Sequence, residues 1–167
     1  RIPREDLMKS LTVNVFGVYL ATREALRVMQ KYNSGTIVNI TSGAAEKPYV
    51  GWSMYGSQKA AVNMFTRIVA KEVAETPVRI LAISPGPFES PMQETLRQSD
   101  PENFPAISKF IDLHQSGKLP HSEQIAEIIL DISLSQWPEL SGRIVDIRDP
   151  EFQKECQKRD VITIDEK

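Results

Sequence analysis

Val78-Arg79-Ile80-Leu81-Ala82-Ile83-Ser84 runs directly into Pro85-Gly86-Pro87. Seven mostly apolar, β-forming residues read as a buried strand, and two prolines around a glycine cannot continue a central ladder. The chain must therefore leave the sheet after Ser84. Thr36-Ile37-Val38-Asn39-Ile40-Thr41 reads as an earlier strand of the same kind, and Arg143 to Arg148 alternates as a third after the turn signals Pro138 and Gly142. Working outward, Leu7, Leu11, Val15, Val18, Tyr19, Ala25, Leu26 and Met29 recur at helical spacing, so Arg4 to about Lys31 is expected as one long amphipathic helix with Gly17 its weak point. A second long helix is expected from an N-cap at Ser53 to about Glu75, stopped by Thr76-Pro77. Phe88 to Pro120 holds two short helical stretches, Met92 to Arg97 and Pro105 to Gln115, and is expected as a mobile flap. His121-Ser122 caps a further helix to about Leu134. Strands alternating with helices predict right-handed crossovers and an α/β fold, a parallel sheet with helices on its faces.

The 167 residues are 41% hydrophobic and 25% charged, enough for one domain with a sizeable core. A formal net charge of -2 leaves no basic surplus for a phosphate backbone or an anionic membrane, so neither nucleic acid nor a membrane surface is expected as a partner. No apolar run approaches the roughly 20 residues that span a bilayer. Cys156 is the only cysteine and there are two histidines, which leaves no internal disulfide and little support for a metal site. A cytoplasmic location fits this composition. The segment after Asp149 is mostly charged and is expected as a partly ordered tail over 150–167.

Tyr55 and Lys59 stand four apart near the start of the second long helix, which puts phenol and ammonium on one helix face. A cation close to a phenol favours its ionised form and makes the pair a candidate acid and base. The motif alone is common by chance, and a surface pair is the plainer reading. Ser42 adds weight, because it lies just past the end of the first strand, where parallel sheets form their ligand crevices. Asn14 sits among apolar neighbours, where a buried amide needs partners.

Taken together, Asn14, the Asn39-Ile40-Thr41-Ser42 strand end, Tyr55-x-x-x-Lys59 thirteen residues later and Pro85-Gly86-Pro87-Phe88-Glu89-Ser90 resemble the short-chain dehydrogenase/reductase family in order, spacing and element. Within it, Lys47-Pro48-Tyr49, Gly51-Trp52, Pro85 to Gln93, Ser116 to Leu119 and Ser141-Gly142-Arg143-Ile144-Val145-Asp146 look like the sepiapterin reductase and benzil reductase branch. The resemblance covers roughly Asp6 to Asp149 and implies that residues 1–149 are the C-terminal portion of a doubly wound, Rossmann-like domain. It implies that Tyr55 is the general acid and that Ser42 binds the same substrate oxygen. Lys59 would bind the nicotinamide ribose and assist Tyr55, while Asn14 would hold a proton-relay water. Gly86 and Asp146 would border the substrate, Asp146 as the carboxylate that grips a pterin. Phe88, Glu89, Ser90, Pro91, Met92 and Gln93 would wrap the nicotinamide and phosphates, with Ser90 where the family usually has Thr.

The family's Gly-rich phosphate loop, its acidic adenine contact and its Asn-Ala-Gly strand end have no counterpart in these residues. The chain also opens on Arg1-Ile2-Pro3-Arg4 without an initiator methionine, so it reads as part of something longer. Alone, it is expected to bind cofactor poorly and to leave the Thr36 to Thr41 strand with an uncovered apolar edge. The leading expectation is an NADP-dependent reductase of a ketone, diketone or pterin side chain, with NAD still open, acting on a small molecule as a homodimer or homotetramer. The alternative is a non-catalytic fragment that keeps the fold for oligomerisation.

Overall fold

The computed structural model describes residues 2–135 and 137–164. Three strands, β1 (Gly35–Ile40), β2 (Val78–Ser84) and β3 (Ile144–Asp146), form a parallel sheet in the order β1-β2-β3. The helices are α1 (Arg4–Leu11), α2 (Gly17–Tyr32), α3 (Ser53–Glu72), α4 (Pro91–Arg97), α5 (Ile107–Gln115), α6 (Ser122–Leu134) and α7 (Pro150–Gln157). Parallel neighbours require crossovers, which α3 supplies between β1 and β2 and α4 to α6 supply between β2 and β3. This is the expected α/β architecture, a partial Rossmann-like domain.

The alternation of side chains along the strands sorts the core into two layers. Ile37 and Ile80 pack on Val69 and Ala70 of α3 and on Val73 just beyond it, with Ala25, Leu26 and Met29 of α2 completing that layer. On the opposite face Leu81, Ile83, Val145 and Ile147 meet Ile125, Ile128 and Ile132 of α6. β2 lies between two strands and has helices on both faces, which explains its nearly unbroken apolar sequence. The outer edge of β1 has no partner strand among the described residues. Beside it Val18, Ala21, Thr22 and Met29 border a groove of about 490 Å³.

The structure differs from the periodicity in three places. The expected single helix from Arg4 to Lys31 is interrupted by a π-helical turn, Thr12–Phe16, in which Gly17 N–H donates to the carbonyl of Thr12. Helical spacing on both sides conceals such a turn, because the axis continues and only one residue is inserted. The N-cap of α3 is Trp52 rather than Ser53, since Gly56 N–H already closes the first turn on the Trp52 carbonyl at 2.8 Å. The helix also ends at Glu72, three residues before the expected Glu75.

Part of the expected tail is an ordered element. Asp149 caps α7 by accepting from the backbone N–H groups of Glu151 and Phe152 at 2.9 and 3.0 Å, and Pro150 occupies the first turn. The helix turns Phe152 and Cys156 into the α6 layer, where Phe152 stacks on Trp137 with ring centroids 5.7 Å apart. Two apolar residues four apart suffice to dock a short helix whose remaining surface is charged. Among the described residues no helix is long and apolar enough to cross a membrane.

Burial pushes the Cys156 thiol up to about 11, so the thiol form dominates at neutral pH. Native protein at pH 7 is expected to resist iodoacetamide and to react once unfolded; rapid labelling of the native state would place Cys156 outside the core. Phe152→Ala is expected to cost about 3–5 kcal/mol of stability, read by urea unfolding. An unchanged midpoint would remove α7 from the folded unit.

Candidate active site

The strand register brings the ends of all three strands to one level. Ile40 pairs with Ile83 and Ser84 with Asp146, and Thr41 N–H donates to the carbonyl of Ile83 at 2.8 Å. Ser42, Pro85-Gly86 and Asp146 therefore emerge side by side at the carboxyl end of the sheet, where open parallel sheets hold their ligands. Ser42 is extended, and its Oγ accepts from Ala44 N–H at 3.2 Å, capping the short 3₁₀ turn Gly43–Ala45. A hydroxyl used as an acceptor keeps its own proton to donate. The first turn of α3 presses on this loop: a Cβ at Gly56 would stand 2.7 Å from the carbonyl oxygen of Ala44. Tyr55 is the preceding residue, so the absence of a side chain at Gly56 lets the Tyr55 and Ser42 backbones approach.

Tyr55 is fixed from two sides. Its ring meets Trp52 edge to face at 5.5 Å between centroids, and the Lys59 ammonium lies 5.8 Å from the centre of the same ring. Trp52 in turn stacks on Phe104 at 4.9 Å and contacts Phe110 at 5.6 Å. Phe104, Ile107 and Phe110 are buried, so this part of the expected flap is docked on the helix that carries Tyr55. Lys59 Nζ donates to the carbonyl of Ile40 at 2.9 Å, and no carboxylate pairs with it among the described residues. Burial holds its pKa below the ordinary lysine value.

Asn14 lies in the π-helical turn, and its Nδ2 donates to Gln58 Oε1 at 3.0 Å and to Ser10 Oγ at 3.2 Å. Gln58 is 2% exposed and also accepts from Ser10 Oγ at 3.0 Å. Gln58, one of the three residues between Tyr55 and Lys59, thus ties α3 to the turn carrying Asn14. The Tyr-x-x-x-Lys spacing is legible without it, and its partners lie more than forty residues away, so the sequence gives no sign of this role.

The segment after β2 divides. Gly86 has φ +71°, a left-handed conformation natural to glycine. Phe88 packs against the α6 layer. The backbone N–H of Glu89 donates to Pro120 O at 3.0 Å, and its carboxylate faces His114 at 2.6 Å and Arg97 at 3.6 Å. The hydrogen bond to His114, reinforced by Arg97, holds that carboxyl below its usual range. The Glu89 side chain thus serves to tie α4 to α5. Ser90 caps α4 by accepting from Gln93 N–H at 3.3 Å, Pro91 takes the first helical position and Met92 is exposed. Gln93 Oε1 is buried and has no partner among the described residues.

Ser42 and Asp146 line one cavity of about 450 Å³ at the end of the sheet. Asn14 and Lys59 instead border the groove along β1, and Tyr55 and Gly86 line neither. Asp146 is in an ion pair: Arg148 donates to it through Nε at 2.9 Å and Nη2 at 2.6 Å. Arg148 joins Gln58 as a site neighbour that the sequence gives no sign of, while Trp52 is legible only as part of the branch resemblance.

Comparison with known proteins places the chain in a family. The family model described as short chain dehydrogenase matches residues 1–101. Benzil reductase ((S)-benzoin forming) of Bacillus subtilis is 36% identical over 148 residues, which is 87% of this chain and 60% of that protein. An NADP-dependent 3-hydroxy acid dehydrogenase of Schizosaccharomyces pombe is 32% identical over 75% of this chain and 46% of its own length. The crystal structure of the KRED1-Pglu enzyme superposes with a TM-score of 0.78 at 33% identity, covering 86% of this chain and 60% of that one. The chain thus spans at most about 60% of the length of these relatives. With the family model covering more than half of its residues, the chain belongs to the short chain dehydrogenase family.

Proposed function

We propose that this chain carries the proton-transfer half of an NADP-dependent carbonyl reductase acting on a small ketone or diketone. The observation that carries the reading is the placement of Tyr55 between Trp52 and Lys59, on the helical turn pressed against the Ser42 loop at the carboxyl end of β1. The benzil reductase likeness supports a carbonyl substrate. The likeness to the NADP-dependent fission-yeast dehydrogenase supports NADP.

Two groups in the chain fit a nicotinamide riboside. The Lys59 ammonium has only a neutral carbonyl as protein partner among the described residues, which suits it to ribose hydroxyls. Gln93 Oε1 is a buried acceptor without a donor among the described residues, in the segment that the resemblance gives to the cofactor. Reduced NADP, when bound, supplies a hydride to the carbonyl carbon. Ser42 then holds the carbonyl oxygen through its hydroxyl proton, and Tyr55 gives its phenolic proton to that oxygen as charge develops on it. Lys59, whose ammonium lies beside the ring, stabilises the phenolate left behind. Asn14, anchored by Gln58, holds the water through which Tyr55 is reprotonated.

The exposed apolar side chains of Met8, Leu11, Phe16, Met64 and Ile68 support a homodimer or homotetramer built on α1 to α3. The single buried cysteine is consistent with a reducing, cytoplasmic setting.

Tyr55→Phe keeps the ring and removes the proton. It is expected to lower kcat/KM for reduction by about 10²- to 10⁴-fold with the melting temperature nearly unchanged. Retained turnover in a folded variant would remove Tyr55 as the acid. Gln58→Ala releases Asn14 and is expected to lower kcat by about tenfold to a hundredfold with little change in KM. Steady-state kinetics checks this, and an unchanged kcat would detach Asn14 and Gln58 from the relay.

A further inference from the structure

The pairing of Ser84 with Asp146 has a consequence two residues further on. Continuing the register brings Arg148 opposite Gly86. Ile147 N–H donates to Ser84 O at 3.2 Å, so the two chains stay together past the end of β3. The side chain of Arg148 then lies across Gly86: a Cβ on that glycine would collide with Nε and stand 2.5 Å from both Cδ and Cζ. Asp146 fixes the guanidinium there, accepting from Arg148 Nε, Nη2 and backbone N–H at 2.9, 2.6 and 3.0 Å. A guanidinium has five N–H donors. Two are used by Asp146, and Nη1 has no partner among the described residues. Both side chains remain partly open to solvent, Arg148 43% and Asp146 33% exposed.

We infer that Arg148 is a specificity-determining residue, whose free N–H groups bind a second oxygen on the substrate while Ser42 and Tyr55 engage the reacting carbonyl. The inference rests on the reductase reading and narrows it to vicinal dicarbonyl compounds. Three observations support the assignment. Gly86, which Arg148 covers, lies one residue beyond the level of Ser42, because the pairing of Ile40 with Ile83 continues to Ser42 beside Pro85. Asp146, which orients Arg148, shares a cavity with Ser42. The adjacent carboxylate also offsets the guanidinium charge, leaving a donor with little net positive field. Such a donor favours a neutral carbonyl oxygen over a carboxylate. Asp146 in turn has three of its acceptor positions occupied by Arg148, so its main duty is to orient the arginine rather than to grip a substrate amine.

The test compares benzil with deoxybenzoin, which lacks the second carbonyl, using protein loaded with reduced NADP. Arg148→Met is expected to reduce kcat/KM for benzil at least tenfold and that for deoxybenzoin less than twofold, with Arg148→Lys recovering part of the loss. Equal losses for the two ketones, or no loss, would overturn the role of Arg148 while leaving the reductase reading intact. Equilibrium binding of both ketones is measured in parallel. If wild-type protein turns over neither ketone, the reductase reading fails. Arg148 then stands only if wild type binds benzil more tightly than deoxybenzoin and Arg148→Met abolishes that preference; otherwise it falls too. Asp146→Asn leaves the guanidinium charge unbalanced and is expected to raise activity on phenylglyoxylate relative to benzil several-fold. An unchanged ratio would contradict the charge balance.

Discussion

The parallel pairing of β2 with both of its neighbours is the constraint on which the site depends. Backbone hydrogen bonds fix Ile40 beside Ile83 and Ser84 beside Asp146, and everything beyond those pairs inherits the alignment. A shift of one strand by one residue would turn its buried residues to the wrong face of the sheet and would move one wall of the crevice. The apolar layers on either face enforce the register, since Ile80 and Leu81 each have a distinct helical surface to fill. Packing energy in the core thereby becomes positional accuracy at the strand ends.

Helix α3 converts that alignment into a chemical site. It crosses from β1 to β2 and its first turn lies against the Ser42 loop, close enough that only glycine fits at position 56. From that turn outward, successive residues have separate tasks: Tyr55 faces Lys59, Gln58 holds Asn14, and Asn63 and Thr66 continue toward the sheet. Thr66 accepts from Asn39 at 2.9 Å, a buried bond that pins the helix to β1. Trp52, just before the helix, joins it to the docked α5 segment through stacking on Phe104.

Most of the fold was legible because its signals are local. The two longer strands are short apolar runs ended by turns or prolines, and α6 begins where a capping pattern says it should, with His121 N–H donating to Gln124 Oε1. Tyr55, Lys59, Ser42 and the Pro85-Gly86 turn were legible through spacing and resemblance. What stayed hidden depends on contacts between distant residues. The π-helical turn at Asn14 keeps the apolar periodicity on both sides, the Gln58 bond spans α3 and α1, and α7 is ordered by only Phe152 and Cys156 within a charged stretch. Arg148 is the clearest case. Nothing in the residues around it sets Arg148 apart until the strand register lays it over a glycine sixty-two positions earlier.

The proposed function reduces to one chemical event, the arrival of hydride at a carbonyl carbon as Tyr55 protonates its oxygen. The measurement that addresses this most directly is isotope transfer. The protein is supplied with reduced NADP carrying two deuterons at the nicotinamide C4, together with benzil, and the product is analysed by NMR and mass spectrometry. The account predicts benzoin with one deuteron on the carbinol carbon and none on the hydroxyl after exchange with water. Benzoin without carbon-bound deuterium, or no reduction by a folded, cofactor-loaded protein, would contradict it.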